Sequence, residues 1–363
     1  MPALGTPVTD ISPRVSRADD LKRFVLDALR AAGTCHESSQ AVANALTEAS
    51  LRGVDSHGIR LLVHYVKAVQ GGRINPAPQL AFSQSGRASG VVNGGDGFGH
   101  YASYFAVDRA IELAKETGVG AVSVINSSHF GAAGCYVLRA ASQGLAALGT
   151  CNSDSFVLPH DGTQPFHGTN PLTFAAPVSG QRPFLMDMAT SVVPWNRVLD
   201  LRMKKLPMPP DVAVDDSGEP TLDPQKSTAL LPLGGVQYGY KGAALASVAE
   251  VLSSVMTGMG QCGRLLPMTG PDFSTPRHLG HFFIVLDPLR FVSADLYEAG
   301  MNAYLTDLRS QPARSGKRVM APGDREWAVE AQRRRDGIPV SSSLEREFKA
   351  LADQLSIQPP QFG

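Results

Sequence analysis

The sequence predicts a mixed α/β protein fronted by a helical unit, and three observations carry that prediction. Apolar residues recur at helical spacing over 18–70. Runs rich in Val, Ile and Phe, such as 118–125 and 281–286, have strand character. Polar clusters recur where those runs stop, which gathers a site on one side of a sheet. At 363 residues with 43% hydrophobic content, the chain is long enough for two or more packed domains. The expected divisions are a helical N-terminal unit at 1–80, an α/β region at 81–310 and a C-terminal helical segment at 311–363 that closes on the rest.

Residues 1–13 contain Pro, Thr and Asp but no apolar stretch, and are expected to be disordered and to carry no targeting signal. Ser16-Arg17-Ala18-Asp19 has the form of a capping box, followed at helical spacing by Leu21, Phe24, Val25 and Leu29 until Gly33 ends the run. Ala41, Val42, Ala45, Leu46 and Ala49 form the inner face of a second helix, and Leu61, Leu62, Tyr65, Val66 and Val69 that of a third, which ends at Gly71-Gly72. Asn75-Pro76-Ala77-Pro78 is a turn-rich linker. Gly90-Val91-Val92-Asn93 then reads as a strand, 94–99 as a Gly-rich turn and 101–116 as a helix. That order suits a dinucleotide site, but the glycines do not fit G-x-G-x-x-G, the spacing that lets a backbone approach a pyrophosphate.

Strands follow at 118–125, 146–151, 172–177 and 184–188. The first ends in Asn126-Ser127-Ser128-His129-Phe130-Gly131-Ala132-Ala133-Gly134, whose small residues allow a flat ligand or a phosphate close to the backbone before the next helix. The segment 203–226, rich in Pro, Lys and Asp, reads as a surface excursion. Gly239-Tyr240-Lys241-Gly242 opens an apolar helix over 243–259, placing Lys241 near its N-terminus to meet a phosphate or ribose; a solvated lysine is the plainer alternative. A loop at 263–278, a strand at 281–286 and helices at 294–308, 325–336 and 344–355 complete the chain.

Lys plus Arg and Asp plus Glu are both 33, so no overall field recruits nucleic acid or an acidic membrane. No run approaches the roughly 18 apolar residues of a membrane span. Cys35, Cys135, Cys151 and Cys262 are widely separated, without metal-ligand spacing, and are expected to be reduced thiols of a cytoplasmic protein.

The densest polar stretch is Arg52-Gly53-Val54-Asp55-Ser56-His57-Gly58-Ile59-Arg60. The His57 imidazole can exchange protons near neutrality, and Arg60 offers a planar fork for a carboxylate. Ser56 and His57 are expected at the N-terminus of the third helix, where free amides favour an anion. Alternatively, Asp55 or Ser56 is only a cap and His57 a surface histidine.

Seven stretches in order resemble the type-2 malate/L-lactate dehydrogenase family: Asp55-Ser56-His57-Gly58, Ser128-His129-Phe130-Gly131, Gly168-Thr169-Asn170-Pro171, Asp187-Met188-Ala189-Thr190-Ser191, Tyr240-Lys241-Gly242, Gly280-His281-Phe282-Phe283 and Pro322-Gly323-Asp324. The resemblance spans about 19–340. It implies an NAD- or NADP-dependent oxidoreductase of small 2-hydroxy/2-oxo acids, on a non-Rossmann fold with a largely antiparallel sheet and flanking helices, assembled as a homodimer. His57 would be the acid/base and Ser56 its orienting or relaying partner. Thr169 would contact substrate. His129, Phe130, Gly131, Ala132, Ala133, Ser153, Asp187, Met188, Ala189, Lys241, Gly242, Pro322, Gly323 and Asp324 would hold the dinucleotide. In some members the second histidine, here His129, is the proposed base.

This chain departs from the family in two places. Leu61 stands where the family often has its carboxylate-binding arginine, and Arg60 precedes it, turned by about 100° on an α-helix; Arg52 is the substitute candidate. The carboxylate that supports the histidine in imino-acid reductases is replaced by the neighbourhood Pro194-Trp195-Asn196-Arg197, leaving Asp55 or Asp200 to serve. Cys151-Asn152-Ser153-Asp154 and Trp195 lean toward a ureidoglycolate-like or malate-like substrate. Two other readings are a metal-dependent hydrolase built from His57, His129, Asp187 and His160 or His167, and a non-catalytic relative that binds a metabolite. The sequence has no H-E-x-x-H or other close ligand pair, so no metal site is expected.

Overall fold

The computed structural model describes residues 14–363; the N-terminal stretch expected to be disordered lies outside them. In chain order the elements are β1 (Arg14–Ser16), α1 (Ala18–Ala31), α2 (His36–Leu51), α3 (Leu62–Gln70), β2 (Ala81–Gly86), β3 (Ser89–Asn93), α4 (Gly99–Thr117), β4 (Val119–Ser127), α5 (Gly134–Ala141), β5 (Ala146–Cys151), β6 (Leu172–Ala176), β7 (Phe184–Met188) and α6 (Trp195–Lys204). They continue with β8 (Ala213–Val214), β9 (Pro220–Thr221), β10 (Ala229–Leu230), α7 (Gly235–Glu250), β11 (Leu279–Leu286), α8 (Ala294–Ser310), α9 (Asp324–Asp336), β12 (Ile338–Val340) and α10 (Ser342–Leu355).

Seven strands form the central sheet in the order β2-β3-β4-β11-β5-β6-β7. Every neighbouring pair is antiparallel except β3 and β4, joined by the crossover helix α4. The period-2 alternation sorts the two faces. Val122, Phe283, Ala147, Ala175 and Leu185 point to one side and pack with α4 and α5 in a core that includes Ala106, Val107, Ala110, Tyr136 and Val137. Gly120 permits this contact, because a Cβ there would lie 2.0 Å from the carbonyl oxygen of Ala110. The other face carries Ala121, Ile284, Leu148, Phe174 and Met186 in one row across five strands, each only partly covered.

A second core joins α1, α2 and α3 to the C-terminal end of the chain, with Phe24, Leu46, Leu62 and Tyr65 against Val340, Phe348 and Leu351. The capping box is not formed: Arg17 is the N-cap of α1 without a side-chain bond, and Ser16 is buried in β1, paired with β12. Nor do Ser56 and His57 begin the third helix. Residues 55–61 make two 3₁₀ turns, Asp55–His57 and Ile59–Leu61, broken at Gly58 (ψ −153°), and the α-helix starts only at Leu62. α7 begins at Gly235 and is kinked at the non-helical Tyr238, so Gly239-Tyr240-Lys241-Gly242 opens its second segment, as expected, with the Gly242 amide donating to the Leu233 carbonyl.

Candidate active site

The Asp55–His57 turn, the strand-to-helix connection ending at Gly134, the β7 end at Asp187 and the start of α6 converge on one cleft of about 700 Å³. Ser56, His57, Arg60, Gly131, Thr169 and Asp187 are in its wall, together with Arg52, Ala132, Ala133, Met188 and Ala189. Ser56 Oγ lies 2.8 Å from His57 Nδ1, which leaves Nε2 as the nitrogen free to exchange a proton. Burial, with the Arg60 charge, lowers His57 to about 4. His57 stacks on His129, with ring centroids 5.6 Å apart and planes at 20°. His129 Nδ1 is in turn 2.7 Å from the hydroxyl of the fully buried Tyr65. Burial, then the neighbouring His57 and His100, push His129 well below its ordinary value.

The loop between β4 and α5 lies close to its neighbours because its residues are small. A Cβ on Gly131 (φ +73°) would meet His100 Nε2 at 2.7 Å. The amide of Gly134, the first residue of α5, donates to Asp187 Oδ2 at 2.8 Å. Burial lifts the Asp187 carboxyl to about 6, against the opposing effects of that amide and of Arg52. Gly131, Ala132, Ala133 and Ala189 make part of the wall from small residues, which suits the flat ring and backbone-hugging phosphates of a dinucleotide, and the volume is that of a small-molecule cleft.

Arg60 lines the cleft with His57 despite the one-residue offset from Leu61, because the broken 3₁₀ turns, not an α-helix, set its direction. Among the described residues it has no carboxylate partner. Arg52 is 7% exposed and committed to the wall, with Nη2 3.2 Å from Glu48 Oε2 and 3.0 Å from Cys135 Sγ. Neither carboxylate suggested as support for His57 reaches it. Asp55 receives both terminal nitrogens of Arg333, at 2.5 and 2.8 Å, and Asp200 pairs with Arg197 at 3.1 Å and Lys204 at 2.8 Å.

Other expected residues stand behind the wall. Ser153 Oγ is 3.3 Å from Thr169 Oγ1, and its amide donates to Asn170 Oδ1 at 3.1 Å. Phe130 faces the core, stacked on His281 at 4.7 Å. Pro322 and Gly323 back onto Leu185, Asp324 accepts from Arg309 and the Ala321 amide, and the next two residues, Arg325 and Glu326, reach the cleft. Lys241 is exposed outside the cleft beside Tyr238 and Tyr240, while Gly242 packs on Leu233. His160 and His167 are occupied elsewhere, His160 beside Asp161 and Tyr240 and His167 3.1 Å from Ser247 Oγ. Among the described residues no group of three His, Cys, Asp or Glu side chains is arranged to hold a metal ion.

Three cleft features were not anticipated from sequence. Tyr65, taken as a core residue, holds His129; Asn196 donates to the Ser56 carbonyl at 3.3 Å; and Arg197 lies in the wall. Tyr65 follows His57 by eight residues, a spacing that could have drawn attention to its hydroxyl.

A family model described as malate/L-lactate dehydrogenase matches residues 16–349. The malate dehydrogenase of Pyrococcus abyssi is 33% identical over 347 residues, covering 94% of each chain. The ureidoglycolate dehydrogenase (NAD(+)) of Escherichia coli K12 is 32% identical over 332 residues, 91% of this chain and 93% of that protein. A (2R)-3-sulfolactate dehydrogenase (NADP(+)) of Chromohalobacter salexigens is 31% identical over 92% of this chain and 96% of that one. The crystal structure of malate dehydrogenase from Entamoeba histolytica superposes with a TM-score of 0.90 at 29% identity, covering 96% of this chain and all of that one. The seven-stranded, mostly antiparallel sheet and the near-complete match together place this chain in the malate/L-lactate dehydrogenase family, as a hydroxy-acid dehydrogenase that uses NAD or NADP.

Proposed function

We propose that the cleft interconverts a small 2-hydroxy acid and its 2-oxo acid, of malate, lactate or ureidoglycolate type, with His57 exchanging the proton. The observation that carries this reading is the Ser56–His57 pair set in the wall shared by Arg60 and Thr169. In oxidation, Nε2 of neutral His57 takes the hydroxyl proton while Nδ1–H donates to Ser56 Oγ; in reduction the imidazolium returns that proton to the carbonyl oxygen. Tyr65 holds His129, whose stacked ring keeps His57 oriented. Arg60 pairs with the carboxylate next to the reacting carbon, and Thr169, steadied by Ser153, contacts the substrate.

The bound nicotinamide supplies or accepts the hydride. Its place is the small-residue wall of Gly131, Ala132 and Ala133 facing Asp187, Met188 and Ala189, without a G-x-G-x-x-G loop. Pro322, Gly323 and Asp324 support this wall from behind, through the bond from the Leu185 amide to the Pro322 carbonyl. Lys241 and Gly242 have no part in the cleft of a single chain. The described part of the helical unit at 1–80, residues 14–80, presents His57 to the α/β region at 81–310, and the segment at 311–363 braces both. The half-covered row on the outer sheet face supports a homodimer, and four free cysteines support a cytoplasmic setting.

The test follows reduced-nicotinamide absorbance with NADH and NADPH against a panel of 2-oxo acids. Turnover with at least one 2-oxo acid is expected. Absence of turnover across the panel, with either cofactor bound, would reject the reading.

A further inference from the structure

Glu250, the last residue of α7, is the only charged residue between 243 and 259, and it is 8% exposed. Burying a carboxylate is costly unless donors surround it, and every group hydrogen-bonded to this one is a donor. Oε1 accepts the Cys262 amide at 2.8 Å. Oε2 accepts the Cys262 thiol and, at 3.0 Å, Nδ2 of Asn170. Asn170 is itself fully buried, and its backbone is held at φ +25°, in the left-handed region that few residues other than glycine and asparagine enter.

Asn170 follows Thr169, which lines the cleft. The Thr190 hydroxyl reaches the carbonyls of both, at 3.1 and 3.2 Å, and so holds the backbone from one side. The Thr169 hydroxyl is set from the other side, by a chain of bonds with one polarity. Nδ2 of Asn170 donates to Glu250 and, at 3.2 Å, to the Ala246 carbonyl, which leaves Oδ1 to accept the Ser153 amide at 3.1 Å. Ser153 Oγ then meets Thr169 Oγ1 at 3.3 Å. Without the Glu250 carboxylate, the Asn170 amide loses the acceptor that fixes which of its ends faces Ser153, and a buried N–H loses its partner. The same helix grips the far end of this turn, where Ser247 Oγ is 3.1 Å from His167 Nε2.

We propose that Glu250 is a positioning residue of the dehydrogenase: through Asn170 and Ser153 it orients the Thr169 hydroxyl toward the substrate, and so sets how tightly the 2-oxo acid is held. This rests on the reading of Thr169 as a substrate contact. Glu250 does not line the cleft, so its effect falls on substrate binding and leaves proton exchange and the cofactor alone.

The experiment measures kcat and KM for the best 2-oxo acid of the panel, and cofactor affinity by nicotinamide fluorescence. It compares wild type, Glu250→Leu, Glu250→Gln, Asn170→Gly, Thr169→Val and the Glu250→Leu/Thr169→Val double variant. Glu250→Leu should raise KM about tenfold, as losing one buried hydrogen bond to substrate would, with kcat within about threefold and cofactor affinity within about twofold. Glu250→Gln, which keeps one acceptor, should recover part of that loss. In the Thr169→Val background Glu250→Leu should change KM less than about twofold, because the hydroxyl it orients is gone. Asn170→Gly takes the same backbone conformation without strain and cuts the chain of bonds at its middle, so it should reproduce the KM rise even where Glu250→Leu does not fold. A wild-type KM in both Glu250→Leu and Asn170→Gly, or losses that add fully to those of Thr169→Val, overturns the proposal, since Glu250 then serves packing alone. If Thr169→Val itself keeps the wild-type KM, it is the substrate contact that has failed, and this proposal with it.

Discussion

Burial beside Arg60 holds the His57 ring near 4, so at neutral pH it is a neutral base with Nε2 available. The sign follows from which form each direction needs. For hydroxy-acid oxidation, kcat/KM should stay level from pH 8 down to about 5 and fall through an apparent pKa of about 4. A plateau that ends near the ordinary imidazole value would contradict this environment. His57→Ala should lower kcat by about 10²- to 10⁴-fold while cofactor binding, read by nicotinamide fluorescence, is nearly unchanged. His129→Ala tests the exchanged assignment: if His129 were the base, its removal would erase the acid limb of the profile. The hydrogen-bonded pair of Ser56 and His57 was legible in the sequence because the two residues are adjacent. It gave no signal for Asn196, whose contact with Ser56 depends on tertiary placement 140 residues away, and for Tyr65 only the spacing from His57, the contact with His129 lying 64 residues away.

What keeps the Asp55–His57 turn in place is α9. Val329 packs on Gly53, and Arg333 holds both the Asp55 carboxylate and the Ser50 carbonyl. Arg333→Ala should destabilise the fold by only about 1 kcal/mol, because Asp55 is half exposed. It should nevertheless lower kcat/KM several-fold by freeing the turn, without moving the acid limb set by His57. A double-mutant cycle with Asp55→Ala, read by denaturant melts and kinetics, separates strap from chemistry; additive kinetic losses would reject the strap. Elements with a clear period could be read in advance: β5 and β7 have the predicted limits, and α4, α8 and α10 lie within a few residues of theirs. β2 escaped notice because it is an edge strand with an exposed, polar sequence, and α6 because its Arg- and Lys-rich turns fade into the excursion at 203–226. The 3₁₀ turns before α3 were unreadable because Leu61 and Leu62 keep helical spacing across a change of helix type.

Across the whole molecule, buried imidazoles and an incompletely covered sheet make two further demands. Burial lowers His57 and His64 to about 4 and His100 and His281 to about 3. Unfolded histidines take up protons near 6.5, so the stability these groups contribute is present above that pH and is lost as pH falls toward 4 and 3. Asp187, raised to about 6, has the opposite sign: its contribution is lost as pH rises from the ordinary carboxylate range through 6. With His129 and His167 lowered by burial as well, six imidazoles against one carboxyl should make Tm level above pH 7 and falling steadily between 6.5 and 4 by calorimetry; an unchanged Tm down to pH 5 would refute it. The second demand concerns association. Leu245, Val248, Val251 and Val255 form an exposed stripe at helical spacing, 37 to 59% accessible, along α7 and the π turn that continues it over Val251–Val255. A Cβ on Gly280 would lie 1.8 Å from the Ser253 carbonyl oxygen, so this π turn packs against one end of the outer sheet face, and the row from Ala121 to Met186 remains partly open. A stripe and an open sheet face together exceed what a monomer ordinarily leaves to water. A second copy of the chain, pairing the same surfaces about a two-fold axis, would cover both. Light scattering on a sizing column should therefore give twice the chain mass, and Val248→Glu with Val251→Glu should give monomers that retain the far-ultraviolet signal of the fold. A wild-type monomer at micromolar concentration would leave this face unexplained and reject the dimer.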